Sequence, residues 1–167
     1  PVYPGADLPV ALAMIRLWNE AGRLDRDFLS QHADGLEALL AAASEWPVER
    51  AAAAARVPAS DIEELAHVFT GASPAVIRVG WGIERNQNGG QALAAVMAMP
   101  ALLGKFGVRG GGYTLSNSGA AKLDTAKIFG ADSPPAQWTT RELNMSQLGS
   151  LLTNGIAPPV KSLFVYD

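Results

Sequence analysis

The segment Val76–Gly90 combines a β-branched run with glycines, an arginine and a tryptophan in an order that suits phosphate binding. Gly80-Trp81-Gly82 follows the apolar run, and Asn88-Gly89-Gly90 precedes a helical pattern. In such a strand-loop-helix segment, backbone N–H groups and the helix N-terminus can face a phosphate, because glycine lets the ligand approach closely. Arg85 can neutralise a pyrophosphate and Trp81 can stack on a ring. The alternative interpretation is an ordinary βα loop with a core tryptophan.

The glycine spacing argues against two common nucleotide sites. Arg85 stands where the third glycine of the nicotinamide fingerprint would be, and the P-loop pattern of glycines before Lys and Ser or Thr occurs nowhere in the chain. The segment therefore predicts neither ordinary nicotinamide binding nor a P-loop.

Asp7 follows Gly5-Ala6 at the expected start of a helix. In one interpretation it is an N-cap, or a favourable charge at the positive end of the helix dipole. In the other, its carboxylate accepts two parallel hydrogen bonds from the N1–H and N2–H groups of guanine. Sequence spacing leaves both interpretations open.

Residue types also exclude several kinds of chemistry within this chain. It contains no cysteine, which excludes a disulfide, a thiolate zinc site, an iron–sulfur cluster and a cysteine nucleophile within these residues. His32 and His67 are too far apart to suggest a metal site. Ser116-Asn117-Ser118-Gly119 lacks the nucleophile pattern of hydrolases. No catalytic acid, base or nucleophile is predicted.

Composition and charge narrow the class of protein and its partners. A net charge of -3, with no Lys/Arg cluster, disfavours nucleic acid and anionic membranes as partners. The longest apolar run, Ala92 to Leu103, is shorter than the ~20 residues needed to cross a bilayer. With 49% hydrophobic and 17% charged residues, rich in alanine, the chain is expected to form one helix-rich globular domain.

The elements that would position these residues are mostly helices. Asp25 is a candidate N-cap, and Ser60 with Glu63 forms a candidate capping box. Apolar periodicity and turn residues predict helices over Asp7 to Ala21, Leu24 to Leu29, Gly35 to Ala43, Pro47 to Ala55 and Ser60 to about Thr70, with another from Gln91.

Two segments are predicted to be strands and two to be irregular. Ala75 to Val79 is predicted to be a buried strand, and Val160 to Tyr166 a second strand. Glycines from Gly104 to Gly119 and the stretch Asp132 to Pro135 predict loops. Helices between two strands imply an α/β layer fold with few strands, part of a larger parallel sheet. Because the chain starts at Pro1 without methionine and ends on strand-like residues, we expect it to be an internal fragment of a longer protein.

Four stretches, taken in order, resemble the central part of the molybdopterin oxidoreductases, a family that includes dimethyl sulfoxide reductases, formate dehydrogenases and periplasmic nitrate reductases. The resemblance covers essentially the whole chain. The four stretches are Pro4 to Met14, Gly80 to Gly89, Leu102 to Gly112 and Arg141 to Gly149.

The resemblance implies a fold, a cofactor and a set of binding residues. Residues 1–167 would be a helix-rich fragment of a Rossmann-like α/β domain with few, parallel strands. That domain would bind a cofactor, the bis(molybdopterin guanine dinucleotide) complex of molybdenum (or tungsten). Members of the family often carry glutamine at the position of Arg85. The implied cofactor-binding residues are Gly5, Ala6 and Asp7 toward guanosine, Gly80, Trp81, Gly82 and Arg85 toward the cofactor, and Gly110, Gly111 and Ser116 near the active-site funnel.

The resemblance also implies parts that lie outside these residues. These are a 4Fe-4S cluster in an amino-terminal region, the loop that supplies the metal ligand, and a carboxy-terminal pterin-binding barrel. The fragment alone is then not expected to be active. Its partners would be the pterin dinucleotide, the rest of its own chain and electron-transfer subunits. The alternatives are a non-catalytic electron-transfer scaffold, like the large iron–sulfur subunit of respiratory complex I, and a stand-alone nucleotide-binding module.

Overall fold

The computed structural model of the chain describes residues 1–116, 124, 128, 141 and 143–165. The chain divides into two compact units, Pro1–Ala120 and Ala121–Asp167. The elements of the first unit are α1 (Asp7–Glu20), α2 (Arg26–His32), α3 (Leu36–Ser44), α4 (Val48–Ala55), α5 (Ala59–Gly71), β1 (Val76–Arg78), a 3-10 turn (Ile83–Arg85), α6 (Gly89–Leu102) and β2 (Gly112–Thr114).

Helix α1 is the centre of the first unit and packs against α3, α4, α5 and α6. Of the apolar residues whose spacing predicted this helix, Ala11, Leu12, Ile15 and Trp18 are buried and Leu8 is partly buried. The Trp18 indole Nε1–H donates to the carbonyl of Ala66 at 3.1 Å, so the one polar group of this side chain is satisfied in the core. The core therefore forms around the helix that begins at Asp7.

The two predicted helix caps have different outcomes. Asp25 is confirmed as the N-cap of α2, where its carboxylate accepts a hydrogen bond from the Phe28 N–H at 3.0 Å. The Ser60–Glu63 capping box is wrong, since α5 begins at Ala59, its N-cap position is Pro58, two residues before Ser60, and it has no side-chain cap. Proline carries no N–H, so it cannot provide the reciprocal half of a capping box.

Strands β1 and β2 form a parallel pair, and α6 connects them. The register places Val76 opposite Gly112, Ile77 opposite Tyr113 and Arg78 opposite Thr114. This arrangement is a βαβ unit, and it confirms the predicted helix-rich α/β class with parallel strands. Both carboxyl ends lie at the same edge, where open α/β sheets bind their ligands.

Two expectations about these strands are corrected. Exposure alternates along residues 75–79, and Val76 is 55% exposed, so β1 is covered on one face and is not a fully buried strand. The prediction that residues 104–119 are all irregular is wrong at β2. There the Gly112 N–H donates to Ala75 O at 3.1 Å, and pairing with β1 outweighs the low strand propensity of glycine.

The glycine-rich segment before β2 is held by Lys105. Its ammonium donates to the carbonyls of Thr70 at 3.0 Å and Ala72 at 2.7 Å, at the carboxyl end of α5. A cation there satisfies carbonyls that have no partner within the helix and favours the negative end of the helix dipole. One side chain thus fixes the approach to β2.

The described part of the second unit contains a 3-10 turn (Met145–Gln147) and helix α7 (Leu148–Asn154). The Arg141 guanidinium donates to the carbonyls of Ala157 and Pro158, each at 2.9 Å. The predicted strand at Val160 to Tyr166 is wrong over residues 160–165, which have no regular secondary structure. A strand needs a hydrogen-bonded neighbour, and none pairs with this segment among the described residues. The predicted loop at 132–135 lies outside the described residues.

Within the part of the chain that the structure describes, no helix has the length and apolar character needed to span a bilayer.

Candidate functional site

The loop after β1 is built around a close approach at Gly89. A Cβ at this position would lie 2.7 Å from the carbonyl oxygen of Ile83 and 2.8 Å from the Cα of Glu84, so only glycine fits without displacing the 3-10 turn. The Gly89 N–H donates to Asn86 O at 2.9 Å, and the Arg85 N–H donates to Gly82 O at 3.1 Å. The backbone of the 3-10 turn therefore packs directly against the first turn of α6.

The loop before α1 lies directly beside this turn. The Asn88 side chain donates from Nδ2 to the carbonyl of Gly5 at 3.1 Å, across 83 positions of sequence. Gly5 has φ +84°, and a Cβ there would lie 3.4 Å from Oδ1 of Asn86. The structure thus brings Gly5–Asp7 and Gly80–Gly90 together, and these two loops are called the paired-loop surface below.

The paired-loop surface contains the N-termini of two helices. Among the described residues, the backbone N–H groups of Asp7 and Leu8 in α1, and of Gly90 and Gln91 in α6, have no hydrogen-bond partner. Both helix dipoles place partial positive charge at these groups. Four free donors at two adjacent N-termini are suited to an anion with several oxygens.

Asp7 is the first residue of α1, and Ala6 occupies the N-cap position. The N-cap interpretation of Asp7 is therefore wrong, whereas its placement as an acidic residue in the first turn is confirmed. Its carboxylate is half-buried and has no hydrogen-bond or ion-pair partner among the described residues. Both of its oxygens can accept hydrogen bonds.

Trp81 and Arg85 lie on the exposed side of the loop. Trp81 is 56% exposed, so the interpretation as a core tryptophan is wrong for this structure. The Arg85 guanidinium is also exposed, and it has no partner among the residues that the structure describes. The indole face and the guanidinium are both accessible from solvent.

Gly80 and Gly82 differ from Gly89 in their surroundings. No atom lies within 4 Å of a Cβ built on either residue, and neither has a positive φ. Nothing in the described chain therefore requires glycine at these two positions.

The remaining predicted site residues lie at two different ends of the sheet. Ser116 follows β2 at the carboxyl edge, the same edge from which Gly80 continues β1. Gly110 and Gly111 precede β2 at the opposite edge. A Cβ on Gly111 would overlap the carbonyl oxygen of Lys105, and one on Gly110 would lie 3.4 Å from Cγ of Pro74. Packing therefore accounts for glycine at position 111, and the left-handed φ of +86° accounts for it at position 110. Neither residue lies on the paired-loop surface.

Sequence reasoning did not identify Asn88 as a site residue, although it is the side chain that joins the two loops. The available signal was an asparagine at the start of a helix, which is normally interpreted as a cap. Its long-range partner, Gly5, could be found only from the structure.

An apolar groove of about 440 Å³ extends from Asp7 over the face of β1. Among its lining residues are Val10, Met14, Phe69 and Ile77. Its volume is in the range of small-molecule sites. The described residues contain no cluster of three or more His, Cys, Asp or Glu side chains placed to hold a metal ion.

Sequence comparison relates the chain to curated oxidoreductases. It is 32% identical over 166 residues to the "Probable oxidoreductase YoaE" of Bacillus subtilis, an alignment that covers 99% of this chain and 24% of that protein. It is 31% identical over 140 residues to the "Trimethylamine-N-oxide reductase" of Haemophilus influenzae, covering 78% of this chain and 17% of that protein. No protein-family model matches.

Comparison with solved structures points the same way. Acetylene hydratase from Pelobacter acetylenicus superposes with a TM-score of 0.61 and 26% sequence identity, over 65% of this chain and 15% of that chain. These relatives support the placement of the chain in the molybdopterin oxidoreductase superfamily. The chain spans only 24%, 17% and 15% of the lengths of these three relatives.

Proposed function

We propose that this chain is a cofactor-binding portion of a molybdenum or tungsten oxidoreductase, and that its paired-loop surface holds one guanine dinucleotide end of bis(molybdopterin guanine dinucleotide). The observation that carries the proposal is the hydrogen bond between Asn88 and Gly5, which joins two helix N-termini with free N–H groups. An iron–sulfur cluster and the metal-ligating residue belong to parts of the protein outside these residues.

The groups on this surface match the chemistry of a guanosine diphosphate moiety. The free N–H groups of α1 and α6 and the Arg85 guanidinium suit the pyrophosphate oxygens. The Asp7 carboxylate suits the N1–H and N2–H groups of guanine, and the Trp81 indole offers a stacking face. Close approach of this ligand also supplies a reason for glycine at positions 80 and 82.

The cofactor supplies two-electron transfer when it is bound, and the residues of this chain bind and orient it. The two helix dipoles and Arg85 neutralise the negative charge of the pyrophosphate. The apolar wall of the groove beside Asp7 excludes water on one side, which strengthens the polar contacts of that carboxylate. In this proposal the contribution of these residues is the position and the electrostatic environment of the cofactor.

A reaction without net oxidation or reduction is the second candidate. The solved structure compared above is named a hydratase, and one fold can support different reactions. The cofactor site proposed here is the same in both cases, so only assays of the complete protein distinguish them.

The test is the composition of the full-length protein, purified from a host that makes the molybdenum cofactor. We expect bound molybdenum or tungsten by inductively coupled plasma mass spectrometry, and two guanine nucleotides per metal after acid hydrolysis. A protein with neither metal nor pterin in such a host would refute the proposal. If it still holds an iron–sulfur cluster, the electron-transfer scaffold becomes the better account.

A further inference from the structure

Asn88 occupies the N-cap position of α6, but its side chain does not cap the helix. Asparagine is favoured at this position because its side-chain oxygen accepts a hydrogen bond from one of the first N–H groups of the helix. Here no such bond forms, and Nδ2 donates instead to the carbonyl of Gly5. The amide therefore connects two helices and leaves the first N–H groups of α6 free.

The other end of this connection is fixed as well. Gly5 has φ +84°, which glycine adopts without strain, and its carbonyl lies just before the start of α1. The Ala6 N–H donates to Tyr3 O at 2.9 Å, and the Tyr3 N–H donates to Ala55 O at 2.9 Å. The segment Tyr3–Ala6 is thus held by α4 on one side and by Asn88 on the other.

We propose that Asn88 is a positioning residue that holds the first turn of α1 beside the first turn of α6, so that the N-termini of both helices bind the same ligand. This inference rests on the proposed function, because the ligand is the pyrophosphate of the guanine dinucleotide. The Asn88 amide performs two tasks. Its donor sets the distance between the helices, and its orientation away from the helix leaves the N–H groups of Gly90 and Gln91 for the phosphate oxygens.

Replacement of Asn88 by aspartate separates positioning from ordinary helix stability. Aspartate has the same size, cannot donate to Gly5, and is as good an N-cap as asparagine with a favourable charge for the helix dipole. In Asn88→Asp we expect α6 to be capped and the cofactor-free protein to keep its melting temperature. The connection to Gly5 is lost, so the bound cofactor should dissociate about tenfold faster.

The experiment uses the full-length protein from a cofactor-producing host, and apoprotein from a host that cannot make the cofactor. The amount of guanine nucleotide that stays bound over time in dilute urea measures the rate of cofactor release. The rate of amide hydrogen exchange at residues 3–8 measures how firmly the start of α1 is held. Asn88→Ala, which adds no charge, excludes repulsion of the phosphate as the cause. Asn88→Gln keeps an amide donor and should restore part of the retention.

Asn19→Ala is the matched control. Asn19 accepts one exposed hydrogen bond from Arg26 at 2.9 Å, and it lies about 18 Å along α1 from Asp7 at the rise of an α-helix. This variant should retain the cofactor, and the amide hydrogens of residues 3–8 should exchange at the wild-type rate.

Faster exchange of residues 3–8 together with faster cofactor release, in both Asn88→Ala and Asn88→Asp, supports the inference. Unchanged exchange in these variants overturns it, whether or not the cofactor is present. Faster exchange with wild-type retention also overturns it, while the proposed function stands. Wild-type protein without a pterin guanine dinucleotide overturns the proposed function and this role of Asn88 with it.

Discussion

At the scale of single residues, three glycines of one loop have different reasons to be glycine. Gly89 is required by the backbone of the 3-10 turn, whereas Gly80 and Gly82 face open space in the described chain. The sequence pattern alone treats all three as one phosphate-binding signature. The structure separates the glycine that the loop requires from two glycines whose Cβ atoms would meet no neighbour.

Gly89→Ala is expected to destabilise the protein because its Cβ would overlap the backbone of Ile83 and Glu84. Overpacking of this kind costs about 1–3 kcal/mol of unfolding free energy. Urea denaturation of the cofactor-free full-length protein measures the loss.

Gly90→Ala is the matched control, in the same turn of the same helix. A Cβ at Gly90 meets no atom within 4 Å, and alanine in a helix is more stable than glycine by about 1 kcal/mol. Equal effects of the two substitutions would show that the close approach at Gly89 has no consequence for stability.

The sequence predicted part of the candidate site at this scale. It identified Asp7, Trp81 and Arg85 from residue type and from their place before a helix or after a strand. It did not identify Asn88, because this residue and its partner Gly5 are 83 positions apart and local sequence patterns do not detect such a contact. Gly110 and Gly111 were placed near the active site by the family resemblance, and that role stays a prediction. In the structure, backbone conformation favours glycine at position 110 and packing requires it at position 111.

At the scale of elements, the helices and the position of strand β1 were predicted correctly, whereas β2 was missed and the strand from Val160 is wrong over residues 160–165. The difference has a physical reason. The stripe of α1 and the cap of α2 depend on residues within a few positions of each other. A strand depends on a partner elsewhere in the chain. Thus β2, which follows a glycine-rich stretch, forms because β1 pairs with it. The segment 160–165 has no partner among the described residues and forms no strand.

Lys105→Met should destabilise the connection between α5 and β2, since the Lys105 ammonium satisfies two carbonyls at the end of α5. Methionine preserves most of the side-chain volume but cannot donate a hydrogen bond. Loss of hydrogen bonds from a charged donor costs about 1.5–3 kcal/mol, and the change in unfolding free energy measures it.

Lys161→Met is the control and should have no measurable effect. Lys161 is exposed and has no hydrogen-bond or ion-pair partner among the described residues. A comparable loss in both variants would contradict the assignment of Lys105.

At the scale of the whole molecule, the described residues include one candidate site and a number of exposed large apolar side chains. Helix α6 contains no charged residue, and a helix that is apolar on all sides is usually buried on all sides. In the second unit Phe164 is 87% exposed. Exposed apolar side chains of this kind are expected if further parts of a longer protein cover them. The chain covers 24% of the Bacillus subtilis relative. The predicted single fragment of a larger α/β domain remains a prediction.

The claim that the paired-loop surface holds the cofactor is tested most sharply with Arg85→Ala in the full-length protein. Arg23→Ala is the control, since Arg23 is also exposed and its side chain has no partner among the described residues. The readout is guanine nucleotide retained per metal after a fixed time in dilute urea. We expect Arg85→Ala to release the cofactor about tenfold faster, as loss of one charge-assisted contact implies, and Arg23→Ala to match the wild type. Equal retention in all three proteins would contradict the assignment of this surface to the cofactor.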